Sequence, residues 1–351
     1  MRWTLLLVGL AGIVAAGCAN PMKVLTANRI CGTVKTDNHL VMEMGVTPDG
    51  GKVEATPLGK ACCDGPRVAI LDVDGLLLNQ DFTGPMSMGE NPVSLFREKL
   101  DGIAADPHVK AVVLRINTYG GAVTATDILW HDLREFKERT KLPVVACLLD
   151  VTAGGGYYLA TAADVIVAHP TSITGGVGVI LNLYNLREQM GQFNILPQEV
   201  KSGRLIDMGT GTKLLPDEVR KLLEKMATEY HDRFKEVVIA ARPRVDPKRE
   251  TTFDGRVFTA REAMERGLVD RLGYIDDAAC LAREMAHCPE AGLVLYRRAN
   301  DPARSPYAVT PNTPLHATLL PLSVPGMDRS KLPTFLYLWQ PEATMPRLSG
   351  R

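Results

Sequence analysis

Thr152-Ala153-Gly154-Gly155-Gly156-Tyr157-Tyr158 joins two apolar stretches, Pro143-Val144-Val145-Ala146-Cys147-Leu148-Leu149 before it and Tyr157-Tyr158-Leu159-Ala160-Thr161-Ala162-Ala163 after it. The first has the composition of a buried strand and the second the apolar spacing of a buried helix, so the glycines mark a strand-to-helix turn. Free amides at a helix start, where the dipole favours negative charge, suit a carbonyl oxygen or an oxyanion. A side chain at Gly154 would project into that position.

Two further glycine turns flank this one. Upstream, Ala111-Val112-Val113-Leu114-Arg115-Ile116 runs into Asn117-Thr118-Tyr119-Gly120-Gly121, followed by a helix carrying Ile128, Leu129, Leu133 and Phe136. Downstream, Asp164-Val165-Ile166-Val167-Ala168 leads to Thr174-Gly175-Gly176-Val177-Gly178-Val179. A single glycine cluster signals only a tight turn or a close backbone approach. Three in order, each after a strand-like run, predict an α/β core with one site at its strand ends.

These motifs resemble the signal peptide peptidase A (SppA) family, membrane-associated serine–lysine peptidases of bacteria with the ClpP/crotonase-type fold. The resemblance runs from about Arg67 to His287. Family members read Asn-Ser-Pro-Gly-Gly, Ala-Ser-Gly-Gly-Tyr-Tyr, Thr-Gly-Ser-Ile-Gly-Val, Lys-Ser-Gly-x-x-Lys-Asp and Gly-Leu-Val-Asp-x-Leu-Gly. The matching segments here begin at Asn117, Ala153, Thr174, Lys201 and Gly267, the last two reading Lys201-Ser202-Gly203-Arg204-Leu205-Ile206-Asp207 and Gly267-Leu268-Val269-Asp270-Arg271-Leu272-Gly273. The resemblance implies stacked β-sheets flanked by helices in a single main domain, and a homo-oligomeric assembly.

On that pattern the nucleophilic serine falls at Gly154 and the lysine base at Ile206, while Gly176 replaces the serine of the third motif. Serine–lysine chemistry needs a neutral amine beside the hydroxyl it activates. Glycine cannot attack and isoleucine cannot accept a proton, so no catalytic residue is intact. Thr152, Ser172, Cys147 and the adjacent Lys201 and Ser202 are the candidate replacements; neighbours on an extended segment point to opposite faces, which makes the last pair a poor couple. Amides at Gly121 and Gly155 would remain as an oxyanion or peptide-binding pocket.

The N-terminus carries Met1-Arg2, an apolar stretch from Leu5 to Ala16, and Ala15-Ala16-Gly17-Cys18. That is the plan of a secretory signal, too short to span a bilayer, ending in a lipobox-like site. Residues 1–17 are expected to be a signal peptide and Cys18 the lipid attachment point, placing the protein in the bacterial cell envelope on a membrane. Six cysteines remain of seven, with Cys31 and Cys62 or Cys63, and Cys280 and Cys288, as local disulfide candidates. Lys plus Arg and Asp plus Glu number 40 each, so no basic field argues for nucleic acid. The seven histidines form no metal-binding spacing, and neither a metal nor a cofactor is expected.

The chain divides by composition into an irregular lead-in at 18–65, a peptidase-fold domain at 66–288, and a proline-rich C-terminal arm at 289–351. A buried strand is expected from Val68, an amphipathic helix from Pro216 to Arg242, and a capped helix at Thr259 stopped by Gly267. Leu332-Pro333-Thr334-Phe335-Leu336-Tyr337-Leu338-Trp339 is apolar and strand-like, and is expected to dock on its own or a neighbouring subunit. The expected function is that of a catalytically inactive SppA-like protein that binds peptide, alone or in mixed assemblies with an active paralogue. The alternatives are an active membrane-associated endopeptidase that degrades remnant signal peptides with a relocated nucleophile, and a crotonase-type acyl-CoA enzyme, against which the Tyr-Tyr and Lys-Ser-Gly motifs argue.

Overall fold

The computed structural model describes residues 52–58, 65–80, 90–298, 305–307 and 335–339. Its centre is made by the β-branched runs, which form strands buried on both faces, as parallel strands covered by helices must be. Strand β1 is Val53–Leu58, β2 Arg67–Leu77, and helix α1 Pro92–Ala105 leads to β3 at Val109–Ala122. Helix α2 (Val123–Thr140), β4 (Val144–Ala153), the short α3 (Gly155–Ala160), β5 (Val165–Ala168) and β6 (Ile173–Gly175) carry the glycine turns. Beyond them come α4 (Arg187–Gln192), α5 (Asp217–Ala241), β7 (Val257–Thr259), α6 (Ala260–Glu265), β8 (Arg271–Leu272), α7 (Ile275–Met285), β9 (Gly292–Arg298) and β10 (Leu336–Leu338).

The strands form one sheet in the order β1-β9-β2-β3-β4-β5-β8, parallel from β9 to β8. It forks where β3 and β4 outrun their main partners. There β3 takes β10 as an antiparallel neighbour, and β4 takes β6, which pairs with β7. Alternation along β3 sends Val112, Leu114 and Ile116 to a core shared with α1, α2 and α3, and Ala111 and Val113 to a second core beneath α7. The result is a mixed α/β fold with helices on both faces of the sheet.

Two segments depart from the compositional reading. Residues 53–58, expected in an irregular lead-in, form β1 because their backbone pairs antiparallel with β9 along the whole strand. The expected arm begins with β9, which sits between β1 and β2 and buries Val294, Leu295 and Tyr296. β1 owes its order to β9, a pairing across some 240 residues that local pattern does not carry, and β9 is held on its other edge by β2. The Cys280–Cys288 disulfide is also corrected: both thiols are free, Cys280 exposed on α7 and Cys288 turned partly into the core beneath that helix. Cys18, Cys31, Cys62 and Cys63 lie outside the described residues. No described helix is long and apolar enough to cross a membrane.

Charges are buried under the fork. Lys99 of α1 places Nζ 2.7 Å from Asp72 of β2, and Arg115 of β3, fully buried, sets Nη2 3.3 Å from Asp74 and 3.6 Å from Asp72. Burial drives the Asp74 carboxyl up to about 6 against the opposing pull of Arg115. An unfolded aspartate ionises near pH ~3.9, so between that pH and about 6 the folded chain holds an extra proton. Asp74 therefore favours folding most at low pH, and that contribution fades as pH rises through its folded value. Relative to wild type, Asp74→Asn should gain about 2 kcal/mol between pH ~4.5 and ~7.5. Urea unfolding at both pH values measures this; a constant difference would refute it.

Candidate functional site

The three turns converge. Gly154, at the end of β4, adopts φ 53° and ψ −120° and opens α3, with its amide donating to Gly175 O at 2.9 Å. This is the strand–turn–helix setting in which hydrolases on α/β folds hold an exposed nucleophile. The first turn packs against the second: a Cβ added to Gly120 would lie 2.6 Å from Gly155 N, and one on Gly155 would lie 2.5 Å from Thr126 Oγ1. The third closes on both, since a Cβ on Gly176 would lie 3.1 Å from Gly154 N. The glycines permit backbone to touch backbone.

Their mutual cavity is filled by β10. Register pairs Leu336, Tyr337 and Leu338 with Ala122, Gly121 and Gly120, and the flanking bonds are Val123 N to Phe335 O and Trp339 N to Tyr119 O. Hydrogen-bonded pairs recur every second residue in an antiparallel ladder, which makes Tyr337 and Gly121 the central pair and aims the Gly121 amide at the Tyr337 carbonyl. On its other edge Leu336 exchanges both backbone bonds with Ile180, at 2.9 and 3.0 Å. A Cβ at Gly154 would meet Tyr337 O at 2.5 Å, Tyr337 C at 2.8 Å and Leu338 N at 3.0 Å. The Tyr337–Leu338 peptide group thus occupies the place of a side chain at 154.

Aromatic rings hold that peptide down. Tyr337 is fully buried, stacks on Tyr158 at 5.2 Å and tilts against Phe234 at 4.7 Å, and its hydroxyl donates to Tyr230 O at 2.7 Å. Tyr158 is fixed in turn by its hydroxyl on Asp127 at 2.6 Å, which Arg233 of α5 also holds. Burial and the Asp127 carboxylate push the Tyr158 phenol well above the usual range, so it stays a donor. Tyr157 points the other way, donating to Leu268 O at 2.8 Å. That bond joins the Tyr-Tyr motif to the Gly-Leu-Val-Asp motif, two segments more than a hundred residues apart in sequence.

The structure gathers Gly121, Gly154 and Gly155 but leaves Ile206 out of the cluster. Ile206 sits in a turn, 74% exposed, its amide donating to Gly203 O. The neighbouring Lys201 pairs with Asp207 at 2.8 Å, which Lys213 also holds, and hydrogen bonds from these two lysines keep the Asp207 carboxyl far below its usual range. Candidate replacements for the nucleophile are poorly placed. Thr152 is fully buried and donates to Ile116 O at 2.9 Å, Ser172 is fully buried, and burial raises the Cys147 thiol to about 12. Among the described residues no three His, Cys, Asp or Glu side chains gather as a metal site. The aromatic clamp around Tyr337 escaped the sequence reading, although Tyr337 itself lies in the strand-like stretch noted there.

Residues 136–288 match the family model described as Peptidase family S49. Over 234 residues the chain is 31% identical to Protease 4 of Salmonella typhi, covering 66% of this chain and 37% of that protein. It is 32% identical over 193 residues to the chloroplastic Serine protease SPPA of Arabidopsis thaliana, covering 55% and 28%. A Protease 4 of Haemophilus influenzae is 24% identical over 221 residues, covering 63% and 35%. The chain spans about a third of the length of these relatives. Its glycine turns fold around one strand-lined cleft, residues 136–288 carry the Peptidase family S49 match, and the chain is similar in sequence to signal peptide peptidase A and protease 4 proteins.

Proposed function

We propose that this chain is a non-hydrolysing member of the family whose emptied centre serves as a peptide-binding scaffold. The observation that carries the reading is the Tyr337–Leu338 peptide group lying against Gly154, where the family's serine falls. Support comes from the burial of Thr152, Ser172 and Cys147. An extended segment bonded on both edges, to Gly121 and to Ile180, is how such a cleft would hold a peptide. Purified protein should leave a panel of fluorogenic peptides uncleaved. Turnover that vanishes in a Ser202→Ala or Thr152→Ala variant would overturn the proposal and favour an active peptidase with a relocated nucleophile.

The proposal extends to location and company. Attachment to a membrane of the bacterial cell envelope through a lipid on Cys18 would hold the cleft near membrane-proximal peptides, and assembly with copies of itself or an active paralogue would give a binding subunit its use. Labelled fatty acid should enter the wild-type protein and not a Cys18→Ala variant; equal labelling would remove the anchor from this picture.

A further inference from the structure

We propose that residues 335–339 are a tethered ligand, and that the cleft selects extended peptides with aromatic side chains at three alternate positions and tyrosine at the middle one. The inference rests on the peptide-binding reading above. Three observations carry it. The segment is bound as a guest strand, bonded to β3 on one edge and to the single residue Ile180 on the other. Its aromatic residues fall at every second position, the side-chain period of a strand. Each one meets its own ring: Phe335 stands edge-on to Tyr230 at 5.1 Å, Tyr337 stacks on Tyr158, and Trp339 stacks on Tyr119 at 5.9 Å.

This spacing is specific. Aromatic residues make up 6% of the chain, yet three of these five are aromatic, and all three face ring partners. The middle pocket also reads a hydroxyl, because the Tyr337 phenol donates to Tyr230 O at 2.7 Å. Phenylalanine would fill the same space but forfeit this bond, leaving the Tyr230 carbonyl with its helical partner alone. The outer contacts are more open, while Tyr337 is fully buried, so the middle position dominates selection. Tethering makes the segment a strong competitor: a covalently linked ligand acts at an effective concentration of the order of millimolar, so a free peptide of equal intrinsic affinity cannot displace it at micromolar levels.

Hydrogen exchange and peptide binding on the full chain test this. In wild type, the amides of Leu336, Tyr337 and Gly121 should exchange faster than those of Val113 and Val145, because a bound segment opens without global unfolding. Protection equal to the sheet centre would overturn the inference by making β10 a fixed part of the core. The probe is a fluorescein-labelled peptide with the sequence of residues 333–341. It should bind Leu336→Pro, which removes the amide that donates to Ile180, and Tyr337→Ala, at least about 10-fold more tightly than wild type. Replacing the probe's central tyrosine by phenylalanine should weaken binding about fivefold, and by alanine more than about 100-fold. Equal binding by wild type and both variants, or indifference to the tyrosine, would overturn the proposal. Mass spectrometry of the bound probe separates the two readings: cleavage would sink the non-hydrolysing function and leave the tethered ligand standing, whereas an intact probe that binds no variant does the reverse.

Discussion

Arg115→Met should lower the stability of the fold by about 3–5 kcal/mol, a large part of the roughly 5–15 kcal/mol that holds a domain together. Arg115 is fully buried in the central strand β3 and is the cation between Asp72 and Asp74. Without it Lys99 faces two adjacent carboxylates, and the Pro306 carbonyl loses the guanidinium that donates to it at 2.6 Å. Taking charges out of water costs several kcal/mol for each ion, and that penalty stays after one partner is deleted. Arg115→Lys keeps the charge but loses the planar fork that reaches three acceptors, so it should fall between wild type and methionine. Urea unfolding at pH ~7.5 measures both. A loss under about 1 kcal/mol for Arg115→Met would mean that water reaches the cluster and screens it.

The same cluster shows where sequence reading stopped. Asp72, Asp74 and Arg115 stand inside otherwise apolar strands, and charges at alternate positions ordinarily mark a solvated face. Only the register of β2 against β3, with Asp72 opposite Arg115, and the arrival of Lys99 from α1 turn them inward as partners. The glycine turns were legible because their causes are local. β-branched runs favour strands, and backbone at positive φ, as at Gly120, Gly154 and Gly176, favours glycine. The strand character of residues 335–339 was legible for the same reason. Its partner was not, since β10 docks on β3 more than two hundred residues earlier and nothing in either segment names the other. Ile206 marks the limit of carrying a motif across: read from the motif as the place of a lysine base, it lies in an exposed turn of the fold.

Gly154→Ala should expel β10. The backbone at φ 53° and ψ −120° is one that residues with a Cβ rarely adopt, and strain of this kind costs about 1–3 kcal/mol. Sterics add more, since the new methyl would stand 2.5 Å from Tyr337 O and 2.8 Å from its carbonyl carbon. Those atoms belong to backbone pinned on both edges, so they cannot move singly and the strand must leave as a unit. Three readouts should change together: Trp339 fluorescence as its stack on Tyr119 is lost, faster exchange of the Gly121 amide, and binding of the free peptide. A double-mutant cycle with Tyr337→Ala isolates the cause. If the damage runs through β10, the second substitution should add little once the strand is already gone, leaving a coupling of at least about 1 kcal/mol. Additive effects, with β10 still protected in Gly154→Ala, would separate the glycine from the strand. The coupled outcome would show that a side chain at 154 and the seated Tyr337 carbonyl need the same space.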